Sequence, residues 1–153
     1  IPMFVLGVND AVVAATPDGM LVTSKARSPE LKGFVGEARP MYERRGWGEY
    51  RVLDYKAHSD AQNSLTKELV IAPGQHISYQ RHRRRTEVWT FPHPPPELIL
   101  DDKVIRVGRG DVAVIKAGMK HAIRAVGGEL HIIEVQIGDE LTEDDIERLE
   151  WNW

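Results

Sequence analysis

Two short segments of this chain carry donor atoms at fixed offsets from a turn glycine. In the first, GQHISYQRHRRRTE (74–87), Gln80 and His82 stand two residues apart and Glu87 follows five residues later. In the second, GDVAVIKAGMKH (110–121), His121 closes a strand–turn–strand pattern. Two neutral N/O donors, a carboxylate and a distant second histidine are the donor types that hold a divalent metal. Each has an ordinary alternative: a lone histidine is usually a surface or satisfied core residue, and glutamine is a weak ligand. The joint pattern is much rarer than its parts. The chain has no cysteine, so disulfides and thiolate zinc sites are excluded, and any metal must be held by histidine, carboxylate or amide oxygen.

The elements that must position these donors are mostly short strands. The sequence predicts strands over 50–57, 65–72, 76–82, 87–91, 97–100, 103–107, 111–116, 121–126 and 129–137, with turn signals such as Asp101-Asp102 and Gly127-Gly128 between them. Many short strands at such spacing predict an all-β sandwich or barrel. Side chains alternate along a strand, so His76, Ser78, Gln80 and His82 are expected on one face and Ile77 and Tyr79 on the other. Trp89 and Phe91 share the face of Glu87 and are placed to floor a pocket. On a later strand His121 shares a face with Ile123 and Ala125. Pro92-His93-Pro94-Pro95-Pro96 reads as a stiff loop poor in donors.

Ahead of these strands, 11–15 and 20–24 read as a hairpin about Thr16-Pro17-Asp18-Gly19. Ser28-Pro29-Glu30 reads as a helix start, with Leu31, Phe34, Val35 and Ala38 at helical spacing and an end near Pro40. Thr142-Glu143-Asp144-Asp145-Ile146 has the form of a capping box and predicts a short C-terminal helix. Composition fits one globular domain with a proper core: 153 residues, 42% hydrophobic. The net charge of −3 gives no reason to expect nucleic acid or an anionic membrane as partner. No apolar run is long enough to span a bilayer, and the apolar start lacks a basic region, so a cytoplasmic location is expected. The absence of methionine at position 1 predicts a piece of a longer polypeptide.

The two segments resemble the two cupin motifs. Gly74, five residues, Gln80-Arg81-His82, four residues and Glu87 match the first, with Pro94 where a glycine is usual; Gly110, five residues, Lys116-Ala117-Gly118, two residues and His121 follow the second, with Lys116 where a proline and Ala125 where an asparagine is usual. Further, QRHRRRTEVW (80–89) is similar to the QxHxxRxEHW signature of type II phosphomannose isomerases. These are often the C-terminal half of a bifunctional enzyme that is also a mannose-1-phosphate guanylyltransferase. RGWGEYRVLDY (45–55) resembles that domain's opening, and IIEVQIGDELTEDDIERLE (132–150) its closing segment. NDAVVAATPDGMLV (9–22) is similar to the tail of the guanylyltransferase. The chain departs from the pattern at Val88, where the family has histidine, in the loop PHPPPE (92–97), and at Trp151-Asn152-Trp153, where the family's terminal arginine is missing.

The resemblance implies a cupin jelly-roll barrel over 46–153, preceded by a hairpin–helix extension over 1–45 and closed by the short helix. It implies a divalent metal, Zn2+ foremost and otherwise Mn2+, Co2+, Ni2+ or Mg2+, held by Gln80, His82, Glu87 and His121. The implied reaction interconverts mannose 6-phosphate and fructose 6-phosphate. That reaction needs a base at C1 and C2, a Lewis acid for the enediolate oxygen, and cations for the phosphate. Glu134, on a strand otherwise rich in Ile and Val, is the candidate base, with pairing to an arginine as the alternative. Arg85 and Lys120 are the candidate phosphate cations, and Arg85 is the signature arginine. Gln136 and His76 complete the candidate substrate contacts. Arg81, Arg83 and Arg84 read as an exposed basic strand end. A homodimer is expected, with the 29–42 helix and exposed tryptophans as its candidate surface. Two other readings stand beside the isomerase: a metal-binding cupin that senses a sugar phosphate, and a different metal-dependent cupin enzyme, against which Gln80 argues. The glycine-rich start of a guanylyltransferase is absent from these residues, so synthesis of GDP-mannose is not expected of them.

Overall fold

The computed structural model describes residues 3–16, 18–34, 39–93 and 96–153. It divides into two compact units, Ile1–Met41 and Tyr42–Trp153. Among the described residues no helix is long and apolar enough to cross a membrane.

In the first unit β1 (Ala11–Thr16) pairs antiparallel with β2 (Gly19–Ser24), as the turn signal predicts; Pro17 lies outside the described residues. The helix differs from expectation. It is a 3-10 helix over Lys25–Gly33, with Ser24 in the N-cap position four residues before the expected Ser28, and with Pro29 inside it. Proline donates no backbone hydrogen bond to an α ladder, and short 3-10 turns tolerate such a sequence better. Ser28 does not cap: its hydroxyl donates back to the Lys25 carbonyl at 2.9 Å. None of its residues is buried, and Phe34, which follows it, is exposed; Val35 and Ala38 lie outside the described residues.

Among the described residues the second unit is built from eleven strands. They are β3 (Tyr42–Arg45), β4 (Gly48–Ala57), β5 (Asn63–Ile71), β6 (His76–Arg81), β7 (Arg85–Thr90), β8 (Glu97–Leu100), β9 (Lys103–Arg106), β10 (Val112–Ile115), β11 (His121–Arg124), β12 (Leu130–Gly138) and β13 (Glu147–Arg148). Nine were expected to within about two residues. Tyr42–Arg45, placed with the N-terminal extension by sequence, instead pairs with β4. One sheet has the order β10-β7-β12-β5-β4-β3 and the other β13-β6-β11-β8-β9, all pairs antiparallel. Leu65, Leu69, Ile71, Trp89, Phe91, Leu98, Ile115, Ile123 and Ile132 are buried. This is the expected jelly-roll arrangement.

One local feature aims the site. Between β6 and β11 the register shifts: His121 pairs Gln80 but Ile123 pairs Ile77, so β6 carries one extra residue there. Such a bulge reverses the alternation on either side of it. Ile77, Ser78 and Gln80 therefore line the interior cavity. His76 turns out to an exposed position against Trp153, with ring centroids 5.1 Å apart.

The expected C-terminal helix is absent. Residues 143–145 form a turn, and β13 then pairs with β6. The acids that a capping box would use at a helix start are engaged elsewhere. Asp145 accepts the Arg83 and Arg84 amides at 2.9 and 3.0 Å, and Glu147 accepts Arg81 at 2.7 and 3.0 Å. Beyond β13 the chain lies over Tyr79, with Leu149, Trp151 and Trp153 packed on the Tyr79, Ile99 and Ala122 cluster. The tryptophans are thus partly buried rather than exposed.

Candidate metal centre

Residues 82–87 span the turn from β6 into β7, and His121 opens β11. The glycine of the second motif ties the two together: Gly118, at φ +87, donates its amide to the His82 carbonyl at 2.7 Å. Where β12 ends, Gly138 pairs with Arg85, and a Cβ there would overlap the Arg84 carbonyl. Only glycine lets the chain pass so close to the strand that carries Arg85 and Glu87.

His82, Glu87 and His121 converge, with ligand atoms all within 4.8 Å of one another. His82 Nε2 lies 3.1 Å from Glu87 Oε1, and His121 Nε2 lies 3.5 Å from Glu87 Oε2. All three are buried. Each imidazole is oriented by its far nitrogen. His82 Nδ1–H donates to the Asp145 carbonyl at 2.5 Å, and His121 Nδ1–H to the Met119 carbonyl at 3.1 Å. Both Nε2 lone pairs are then left facing the same point, as in oriented metal-binding histidines. Burial pushes both histidines below their usual pKa, Glu87 opposing, so both are neutral near pH 7. For Glu87 burial acts upward, but the facing His121, His82 and Arg85 outweigh it and hold the carboxyl below its usual range.

The fit to a cation rests on two atoms. Glu87 Oε2 and His121 Nε2 are buried with no hydrogen-bond partner among the described residues. Leaving buried acceptors unpaired is costly, and a divalent cation held by His82, Glu87 and His121 would satisfy both. Gln80 stands beside them. Ser78 Oγ donates to Gln80 Oε1 at 2.8 Å, and the Gln80 amide nitrogen faces His82 Nε2 at 3.4 Å. To ligate, the amide must turn over and present its oxygen.

Gln80, Arg85 and Glu87 open onto a cavity of ≈ 100 Å³ with a largely polar lining. Glu134 and Gln136 project into it from β12. Trp89 Nε1 donates to Glu134 Oε1 at 3.0 Å, and Gln136 Nε2 donates to Glu134 Oε2 at 2.9 Å and to Glu87 Oε1 at 3.4 Å. Burial, then the charge of Glu87, pushes Glu134 up to about 7, with Lys67 and Arg85 opposing. Arg85, 4% exposed, donates to Glu87 Oε1 at 2.8 Å, to His82 Nε2 at 3.2 Å and to the Thr142 carbonyl at 2.8 Å.

Of the candidates read from sequence, Gln80, His82, Glu87, His121, Arg85, Glu134 and Gln136 meet in one place. His76 and Lys120 do not. The bulge turns His76 away. Lys120 precedes an inward His121, so alternation sends it outward, where it pairs with Asp102 and lies 5.7 Å from the Tyr79 ring centroid. His93 is exposed, 5.2 Å from the His131 ring, outside the cavity. Arg81, Arg83 and Arg84 are ion-paired with Glu147, Asp139 and Glu140. Sequence reading missed Lys67, Tyr50, Glu143 and Arg45. One signal was present: Lys67 breaks the apolar alternation of β5, between Leu65 and Leu69 on the inward face.

A family model described as mannose-6-phosphate isomerase C-terminal matches residues 38–151. The chain belongs to this family. Over 95% of its length it is 31% identical to the alginate biosynthesis protein AlgA of Pseudomonas aeruginosa. It is likewise 31% identical over 95% to the xanthan biosynthesis protein XanB of Xanthomonas campestris, and 29% over 95% to the mannose-1-phosphate guanylyltransferase RfbM of Salmonella typhimurium. The chain spans only 31–32% of those proteins' lengths. The fold is that of solved cupins. An RmlC-like cupin from Shewanella frigidimarina has TM-score 0.56 at 14% identity, over 67% of this chain and 86% of that one. A double-stranded β-helix protein from Klebsiella pneumoniae has TM-score 0.56 at 18% identity, over 79% and 95%. Within the family pattern, Val88 sits on β7 beside Glu87 and does not line the cavity, so its replacement of histidine leaves the three convergent donors in place.

Proposed function

We propose that this domain is a metal-dependent aldose–ketose isomerase interconverting mannose 6-phosphate and fructose 6-phosphate. The observation that carries the reading is a division of labour between two buried carboxyls. Glu87 is held ionised among His82, His121 and Arg85, while Glu134 is pushed up to about 7 and is not among the three clustered donors. Paired carboxyls whose surroundings drive them apart are the arrangement that acid–base chemistry requires. His82, Glu87 and His121 would hold the cation, with Gln80 joining them once its amide turns over. A bound metal would supply Lewis acidity for the developing enediolate.

Glu134 takes the proton from C2 of the aldose and returns it to C1, and the reverse from the ketose. A carboxyl near neutrality is ionised and protonated in comparable amounts, which suits a base that must give back what it takes. Trp89 and Gln136 fix its two oxygens. Arg85 holds Glu87 in place and adds positive charge beside the reacting end.

A second reading, a cupin that binds a sugar phosphate without turnover, is favoured by the chain's departures from the family pattern at Val88, in the loop 92–97 and at Trp151-Asn152-Trp153. One experiment separates the two. Bound metal is quantified, then mannose 6-phosphate isomerisation is followed for the intact chain and for His82→Ala. One metal per chain with turnover lost in the variant supports the isomerase. Stoichiometric metal without turnover leaves the binding protein, and no metal under replete conditions removes both.

A further inference from the structure

Lys67, 5% exposed, is a cation placed where sequence reading expected none. Its ammonium donates to Glu143 Oε1 at 2.8 Å and lies 4.5 Å over the Tyr50 ring. The other Glu143 oxygen is 3.8 Å from Arg45 Nη2, which is itself paired with Glu43 Oε2 at 2.9 Å. A buried ammonium requires an anion. The nearest carboxyl along the sheet, Glu134, pairs with Lys67 in register but is driven toward its neutral form. The anion is instead supplied by Glu143, whose side chain is 46% exposed on the turn between β12 and β13. An interior cation is thus compensated by a carboxylate that can leave. The backbone on either side of Glu143 is held, by Arg85 at the Thr142 carbonyl and by His82 Nδ1 at the Asp145 carbonyl. Rotation of one exposed side chain is therefore enough to vacate the place.

We propose that Lys67 and Arg45 form the subsite for the phosphate monoester of the substrate, and that the Glu143 carboxylate occupies this subsite until the phosphate displaces it. The inference rests on the sugar-phosphate reading above. Its geometry suits that ligand. Lys67 faces Glu134 across one strand pair, and Glu134 faces Trp89 across the next. Two interstrand spacings put β5 about 10 Å from β7, the strand of Glu87. That span accommodates a six-carbon phosphate with C1 and C2 at the metal end. The same arrangement gives selectivity: a neutral sugar has no charge with which to replace Glu143.

The test uses inorganic phosphate as probe on the intact chain with metal removed by chelation, so that neither metal nor turnover enters. Dissociation constants are measured by calorimetry for the wild type, Glu143→Gln, Lys67→Arg and Lys67→Met, with circular dichroism to verify folding. Removing the competing carboxylate tightens phosphate binding by about five- to tenfold in Glu143→Gln. Lys67→Met abolishes it and Lys67→Arg retains it. Should Lys67→Met not fold, Glu143→Gln decides alone. A phosphate constant unchanged or weakened in Glu143→Gln overturns the proposal, because a merely structural Glu143 lowers stability without tightening an anion. Phosphate binding that behaves as stated, in a metal-loaded chain that does not isomerise mannose 6-phosphate, sinks the isomerase and keeps the subsite. Turnover with the phosphate constant indifferent to Glu143→Gln does the reverse.

Discussion

Replacing Glu134 by glutamine should make the domain more stable at alkaline pH and inactive. The carboxyl titrates at about 7 in the folded chain against 4.5 for an ordinary glutamate. A raised folded pKa means that the folded state binds the proton more tightly. The stabilisation is full below the unfolded value, is lost as pH rises from about 4.5 to about 7, and stays lost above. Integrating between about pH 5 and about pH 8 gives a loss of about 2.5 kcal/mol in the wild type from this group alone. The uncharged amide of Glu134→Gln has no such dependence. The pH-independent cost of turning over the Gln136 amide to suit it cancels in the comparison. The two histidines, depressed by burial, act in the opposite sense at low pH but are common to both proteins. Urea denaturation with a chelator present, at the two pH values, measures the double difference. For a domain of this size it corresponds to a relative midpoint shift of about 1 M. If the stability difference between wild type and Glu134→Gln is the same at both pH values, Glu134 is ionised throughout and loses its physical claim to be the base.

Three further outcomes are expected. His121→Ala, which removes one of the two orphaned buried atoms, should lower affinity for a divalent cation by at least about 100-fold in a competitive chelator titration. Asp145→Ala removes the acceptor of two backbone amides in the turn between His82 and Arg85; it should cost about 1–3 kcal/mol in denaturant unfolding and weaken metal binding without touching a ligand. Trp151→Ala uncovers the Tyr79 cluster, against which the indole packs at 5.2 Å. It should lower stability by about 2–3 kcal/mol while leaving metal affinity unchanged, since the cluster lies on the far side of β6 from the cavity.

The donors were legible because their spacing is local. Gln80, His82 and Glu87 lie on one hairpin, where alternation and a turn suffice to set direction, and His121 follows a glycine turn of recognisable form. Alternation failed at His76 because a bulge depends on the pairing between two strands distant in sequence, and nothing within residues 74–82 signals the extra residue. The capping box at 142–146 was a sound local pattern, overruled because its acids are engaged by groups distant in sequence: Asp145 by the Arg83 and Arg84 amides, Glu143 by Lys67 and Arg45. Strand-by-strand reading likewise found Glu134 but not its environment. The near-neutral pKa comes from burial beside Glu87, which no linear pattern encodes.

By itself, then, the sequence determined the all-β class, the order of the strands and the candidate donors, since each is carried by residue type, short-range periodicity and motif spacing. The tertiary structure alone decided which polar side chains share a cavity. It turned His76 and Lys120 outward, brought Lys67 and Glu143 together from residues far apart in the chain, and left Glu87 Oε2 and His121 Nε2 facing each other without partners. The physical reason is that desolvation and charge compensation are properties of an enclosed volume. They arise only when the two sheets close over the same few polar groups.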